Sequence, residues 1–186
     1  MSSVPMAAPN KVMFFIDGSN IFWGLKDYRR KVKENVLIDY AKLVDVLAAG
    51  RQVRAKYYYC SEPAVVGEKQ SKFMDMLRQS GFTVVAKKLK QRGSSRNVEK
   101  GVDVALVTGL LSLAWEEGAY DDAVIVGGDA DYTEPVEKVK SKGKWVEVVG
   151  WRDSFGRDLK RVANKVIYLD DLMDKVKLLL QENTAV

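Results

Sequence analysis

Two periodicities divide the chain. Apolar, β-branched and aromatic residues gather in short runs at 11–16, 53–60, 82–86, 123–126, 145–149 and 166–168. Runs of that length, bounded by glycine or polar clusters, are the pattern of strands with both faces buried. Between them the apolar positions change to a spacing of three and four. Leu43, Val44 and Leu47 follow Asp39 and stop at Gly50; Phe73, Met74 and Leu77 lie within 67–79, ahead of Gly81. Val102, Ala105, Leu106, Leu110 and Leu113 form a third stripe running toward residue 117. These are helix faces, with caps and glycine stops at their ends. Ser19 caps a further helix over about 20–28, and shorter helices are predicted at 134–141, 159–163 and 170–180. The basic stretch 29–33 reads as a connector, and 91–97 as a polar loop. Strands alternating with helices in this way predict an α/β fold, with a mostly parallel central sheet covered by helices on both faces.

At 186 residues and 47% hydrophobic, the chain suffices for one core. The predicted organisation is a single domain over 11–181, with a disordered tail at 1–10 and a flexible one at 182–186. The opening residues lack the basic start and apolar centre of a secretory leader, and no apolar run nears the roughly 18 residues of a membrane helix. The single cysteine, Cys60, suits a reducing compartment, so a cytoplasmic location is expected. Histidine is absent altogether. That excludes a Ser-His-Asp triad, a Cys-His pair and a histidine general base. With one cysteine it also removes an ordinary zinc site. Any catalysis then falls to carboxylates, lysines or a hard cation held by oxygen. The net charge of +5 favours an anionic partner, modestly.

The carboxylates are where such chemistry would be placed. The run 123–126 ends in Gly127-Gly128 and delivers Asp129, Ala130 and Asp131; the run 11–16 ends in Asp17-Gly18-Ser19-Asn20. Open α/β sheets bind ligands beyond the carboxyl ends of their strands, at the point where strand order reverses. A reversal between these two strands opens a crevice between Asp17 and Asp129, and Asp103, in the first turn of its helix, can face the same crevice. Crowded carboxylates resist ionisation unless a cation joins them. Mg²⁺ or Mn²⁺ suits an all-oxygen site, polarises a phosphodiester and activates water. Taken singly, Asp17 is also good turn chemistry, Asp103 a residue favoured by the helix dipole, and Asp131 a helix cap.

Three segments carry a family resemblance: Phe14-Phe15-Ile16-Asp17-Gly18-Ser19-Asn20, Lys100-Gly101-Val102-Asp103-Val104-Ala105-Leu106, and Gly128-Asp129-Ala130-Asp131-Tyr132. In order and spacing, over about 11–172, they resemble the NYN domains of the LabA-like group, relatives of the PIN-domain and FLAP nucleases. The resemblance implies a three-layer α/β/α sandwich of PIN-like, Rossmann-like topology and a metal-dependent ribonuclease. It implies Asp17, Asp103 and Asp129 as catalytic metal ligands, joined by Asp131, the second aspartate of its motif, with Asn20 the polar residue after the first strand. Three positions depart from the pattern. Gly109 stands where many relatives have an aspartate six residues beyond Asp103, Gly127 replaces a serine, and Asn164 replaces an aspartate. Six residues is about 120° around a helix from Asp103, so Gly109 need not empty the same site.

On the substrate side, Lys87, Lys88, Lys90, Arg92, Arg96 and Lys100 precede the Asp103 helix, and can track a phosphate backbone. The predicted substrate contacts are Ser19, Asn20, Lys100, Arg96 and Trp23, with Trp23 and Trp151-Arg152 as stacking surfaces whose alternative is ordinary core packing. The expected partner is RNA, single-stranded or structured. A second reading is an RNA- or protein-binding regulatory module without efficient catalysis, favoured by Gly109. A phosphatase imitated by Asp129-Ala130-Asp131-Tyr132-Thr133 is disfavoured because its motif normally sits on the first strand. The tyrosine-rich strand around 57–59 and the final helix are candidate surfaces for a homodimer or another protein.

Overall fold

The computed structural model describes residues 10–62, 66–88, 90–92, 96–98 and 101–179, with side chains left out for 90–92 and 96–98. In chain order the elements are β1 (Lys11–Asp17), α1 (Gly18–Val32), β2 (Val36–Ile38), α2 (Tyr40–Ala48), β3 (Gln52–Glu62), α3 (Glu68–Gln79), β4 (Thr83–Lys88), β5 (Lys90–Arg92) and β6 (Arg96–Val98). They continue with α4 (Val102–Trp115), β7 (Asp122–Val126), α5 (Thr133–Ser141), β8 (Trp145–Gly150), α6 (Arg157–Val162), β9 (Lys165–Tyr168), α7 (Met173–Val176) and β10 (Lys177–Leu179). Six strands form one sheet in the order β4-β3-β1-β7-β8-β9, and every pairing in it is parallel. The order runs outward in both directions from β1 and β7. The reversal therefore falls between Asp17 and Val126, where the sequence places it.

Both faces of the central strands are buried, which is why their sequences are continuous apolar runs rather than alternating ones. Val12, Phe14, Ile16, Val124 and Val126 pack with Ile21 of α1, Leu43 of α2 and Leu77 of α3. Their neighbours Met13, Phe15, Ala123 and Ile125 pack with Leu106 of α4, Val136 of α5 and Leu159 of α6. Two cores on either side of one sheet make three layers. Phe14, Phe15 and Ile16 have no exposed surface, and full burial of each stabilises the fold by about 1.5–3 kcal/mol. At the amino ends of the strands, Arg51 places its guanidinium 2.8 Å from Asp122 and 3.1 Å from Glu147, all three side chains largely buried. No helix among the described residues is long and apolar enough to cross a membrane.

Three local expectations are corrected, and the alternative left open at Trp151 is decided. The basic stretch 29–33 is no connector: Arg29, Arg30 and Lys31 form the last turn of α1, where cations oppose the negative end of the helix dipole, and Lys33 ends it in the left-handed conformation. Residues 90–92 and 96–98 are not irregular but pair antiparallel as β5 and β6. The segment predicted as one helix over 170–180 is a 3-10 turn, a single turn of α7 and then β10, because Lys177–Leu179 pairs with β2, a strand too short to be read locally. Trp151 is core rather than a stacking surface: its ring lies over Gly24 and its indole N–H donates to the Ile21 carbonyl at 3.2 Å. Of the tail predicted at 1–10 only Asn10 is described, its carbonyl accepting from the Gln52 N–H at 3.0 Å, and the tail at 182–186 lies outside the described residues.

Candidate functional site

The site begins with the way Asp17 ends β1. Its Oδ1 accepts hydrogen bonds from the backbone N–H groups of Ser19 at 3.1 Å and Asn20 at 3.0 Å, so Asp17, and not Ser19 as predicted, caps α1. Its Oδ2 accepts from the Tyr132 hydroxyl at 2.6 Å. The carboxylate is 6% exposed and is fixed in place before any ligand arrives. Across the strand reversal, Gly128 donates its N–H to the Asn20 side-chain oxygen at 3.0 Å. Asn20 thereby ties the end of β1 to the turn after β7. Asp129, in that turn, caps a short 3-10 helix by accepting from the Asp131 N–H at 3.0 Å.

Asp17, Ser19, Asn20, Trp23, Asp103 and Asp129 line a single open cleft of about 420 Å³. Three carboxylates, from the ends of β1 and β7 and the first turn of α4, thus share one rim. Asp27 and Ser154 line it as well, and sequence reasoning missed both. Asp27 had a signal: Asn20, Trp23, Gly24 and Asp27 follow helical spacing and fall on one face of α1. Asp131 is exposed and is not among the lining residues. Lys100 lies outside the described residues, and of Arg96 only the backbone in β6 is described. Trp23 is more than half exposed, with the Lys26 ammonium 5.0 Å from its ring centre.

Electrostatics converge at Tyr132, a second residue whose part was not read from its motif. Its hydroxyl pKa is pushed far above the ordinary tyrosine value, first by burial and then by the charges of Asp17, Asp129 and Asp103. One buried hydroxyl therefore feels Asp17, Asp103 and Asp129 together. No lysine or arginine is among the described residues lining the cleft. This donor set is all oxygen and acidic, which suits a hard cation that retains much of its water. It is not a closed cage, since among the described residues no three acidic or cysteine side chains are grouped closely enough to hold an ion by themselves.

The departures sort by position. Gly109 lies on another side of α4, where a Cβ would stand 2.4 Å from the Tyr59 hydroxyl, so its missing carboxylate does not open the acidic cleft. Asn164 bonds to the Val146 N–H at 2.9 Å, at the amino end of β8 and away from the cleft.

Residues 11–170 match the NYN domain. The Low amplitude and bright protein LabA of Synechococcus elongatus is 23% identical over 169 residues, 88% of this chain and 86% of that protein. A crystal structure of a Vibrio parahaemolyticus protein of unknown function, VPA0982, superposes with a TM-score of 0.73 at 24% identity, covering 93% of this chain and 99% of that one. The last likeness bears on the fold alone.

Proposed function

The chain belongs to the NYN domain family, nuclease-like domains of the PIN-like superfamily, and from that premise we propose that it is a metal-dependent ribonuclease hydrolysing RNA phosphodiester bonds at the cleft between β1, β7 and α4. The observation that carries the reading is the meeting of Asp17, Asp103 and Asp129 on one cleft. These three residues would hold Mg²⁺ or Mn²⁺. When bound, the ion supplies charge neutralisation at the phosphate and a more acidic water.

The chain's own residues do the rest. Tyr132 and the α1 backbone hold the Asp17 carboxylate in one orientation, so little reorganisation accompanies substrate binding. Asn20 sets the separation of the two strand ends through Gly128. Ser19 lies at the mouth with a hydroxyl suited to a phosphate oxygen. Trp23 offers an exposed indole on which an unpaired base can stack. Arg96 and Lys100, from the basic segment ahead of α4, are the proposed phosphate contacts that offset the acidity of the cleft.

The test is cleavage of labelled single-stranded RNA with Mn²⁺ or Mg²⁺, with EDTA and Asp129→Asn as controls. Cutting that needs metal and disappears in Asp129→Asn is the expected result. The second reading, a regulatory module that binds RNA without cutting it, is favoured by the open spacing of the acidic residues. Intact RNA, bound equally by wild type and Asp129→Asn, would establish that reading instead.

A further inference from the structure

A second groove, of about 530 Å³, lies on the other side of the α4 amino end, between that helix and the β3–β4 edge of the sheet. Its volume falls within the roughly 300–1,000 Å³ of pockets that take small ligands. Tyr57 and Tyr59 of β3 form one wall, Lys87 of β4 stands at one side, and Val104, Thr108 and Gly109 of α4 form the other. Gly109 makes room for it, because any side chain there would meet the Tyr59 hydroxyl.

Three properties of this groove point to one kind of occupant. Tyr59 is 3% exposed, yet its hydroxyl has no hydrogen-bond partner among the described residues, although a buried hydroxyl normally finds one. No fully enclosed side-chain N or O atom among them lacks a partner, so this hydroxyl retains some surface, in a residue that lines the groove. The walls are aromatic and apolar: Tyr57 is stacked on Phe15 and tilted against Tyr59, and Val104 is 63% exposed. Lys87 is exposed and makes no ion pair or hydrogen bond among the described residues. An aromatic wall, a hydroxyl that can take a polar edge and an exposed ammonium together match a nucleobase with its phosphate.

The two clefts meet at the first turn of α4. Asp103 lines one and its neighbour Val104 the other, and the helix end between them has no side-chain cap. A phosphate crossing that turn meets backbone N–H groups that lack a side-chain acceptor. We propose that the groove is a base-binding subsite for the same RNA strand: a nucleotide neighbouring the scissile one places its unpaired base against Tyr57, hydrogen-bonds the Tyr59 hydroxyl and sets its phosphate beside Lys87. The inference rests on the ribonuclease reading and deepens it. It makes the substrate a strand unpaired on both sides of the α4 end, since a base held in a duplex cannot enter.

The test measures anisotropy of a short fluorescein-labelled oligouridylate with the full chain in EDTA, so that binding is read apart from cleavage. Tyr59→Phe removes only a hydroxyl without a partner, and Lys87→Ala changes an exposed side chain, so both variants retain the fold. Tyr59→Phe is expected to weaken binding about two- to tenfold, and Tyr57→Leu about five- to twentyfold. Abasic replacements along the oligonucleotide should weaken wild type at one position and leave Tyr57→Leu indifferent there. Wild-type affinity in all three variants, with metal-dependent cutting still lost in Asp129→Asn, would overturn the subsite and leave the ribonuclease standing. A wild-type dimer that dissociates in Tyr57→Leu would overturn it in favour of a second copy. Absence of RNA binding by wild type in EDTA would overturn the subsite, and absence of cutting with Mn²⁺ or Mg²⁺ as well would overturn the ribonuclease reading.

Discussion

Replacing Tyr132 by phenylalanine deletes one atom from the molecule, and the consequence can be worked through. The hydroxyl donates to the Asp17 carboxylate at 2.6 Å inside a side chain with no exposed surface. A hydrogen bond to a charged group contributes roughly 1.5–3 kcal/mol, and complete burial leaves no reason to discount it for screening. For a chain of this size each kcal/mol moves the midpoint by about 2–4 °C, so Tyr132→Phe should melt about 3–12 °C lower at pH 7. The difference must also depend on pH. The Tyr132 pKa is raised in the folded protein, by burial first and by Asp17 next, above a value of 10.0 when unfolded. The stability it contributes is therefore intact below pH 10 and is lost as pH rises beyond, because only the unfolded chain can ionise. At pH 11 that loss is about 1.4 kcal/mol, and phenylalanine does not share it. Urea unfolding at pH 7 and pH 11 should show the gap between wild type and variant narrowing by that amount. A gap below about 0.5 kcal/mol at pH 7, or one that does not narrow, would refute both the strength assigned to this bond and the burial argument.

Two further substitutions probe the frame that holds the cleft. Arg51→Met leaves Asp122 and Glu147 buried without their guanidinium, and should cost about 3–5 kcal/mol in urea unfolding while RNA cleavage below the melting range is unchanged. Gly24→Ala puts a Cβ 1.9 Å from the Trp151 ring and must push α1 outward, costing about 1–3 kcal/mol. Because Trp23 and Asn20 ride on that helix, cleavage should fall even where the variant remains folded, as a steady-state assay at low temperature would show.

What could be read from the chain beforehand follows the range of the interaction. The continuous apolar runs in β1 and β7 announce strands buried on both faces, and their aspartate ends announce the rim. Asp39 is a cap in the structure as in the sequence, accepting from the Lys42 N–H at 3.0 Å. The pairing of β2 with β10 was invisible because its partners are 36–38 and 177–179, and neither segment is long enough to show a period. Lys177–Leu179 continues a helical pattern locally and becomes a strand only through that distant partner. Asn20 and Tyr132 stood in the motifs, yet their bonds to Gly128 and Asp17 need the fold to exist. Local chemistry marks which residues gather, and tertiary contact decides which of them position the others.

The adjacency of β1 and β7 also sets the order in which the protein can be made. Val12 aligns with Asp122 and Ile16 with Val126, so β1 waits for another 110 residues before its partner is synthesised. At about 5–20 residues per second that is roughly 5–20 s. Through that interval Met13, Phe14, Phe15 and Ile16 can be covered on one edge by β3, while the other edge stays an unpaired apolar strand, the kind that invites misassembly. Closing that edge is the same event that brings Asp129 to Asp17. A nascent chain therefore gains its acidic cleft in the step that removes its greatest hazard of aggregation, and no partly synthesised form carries the site.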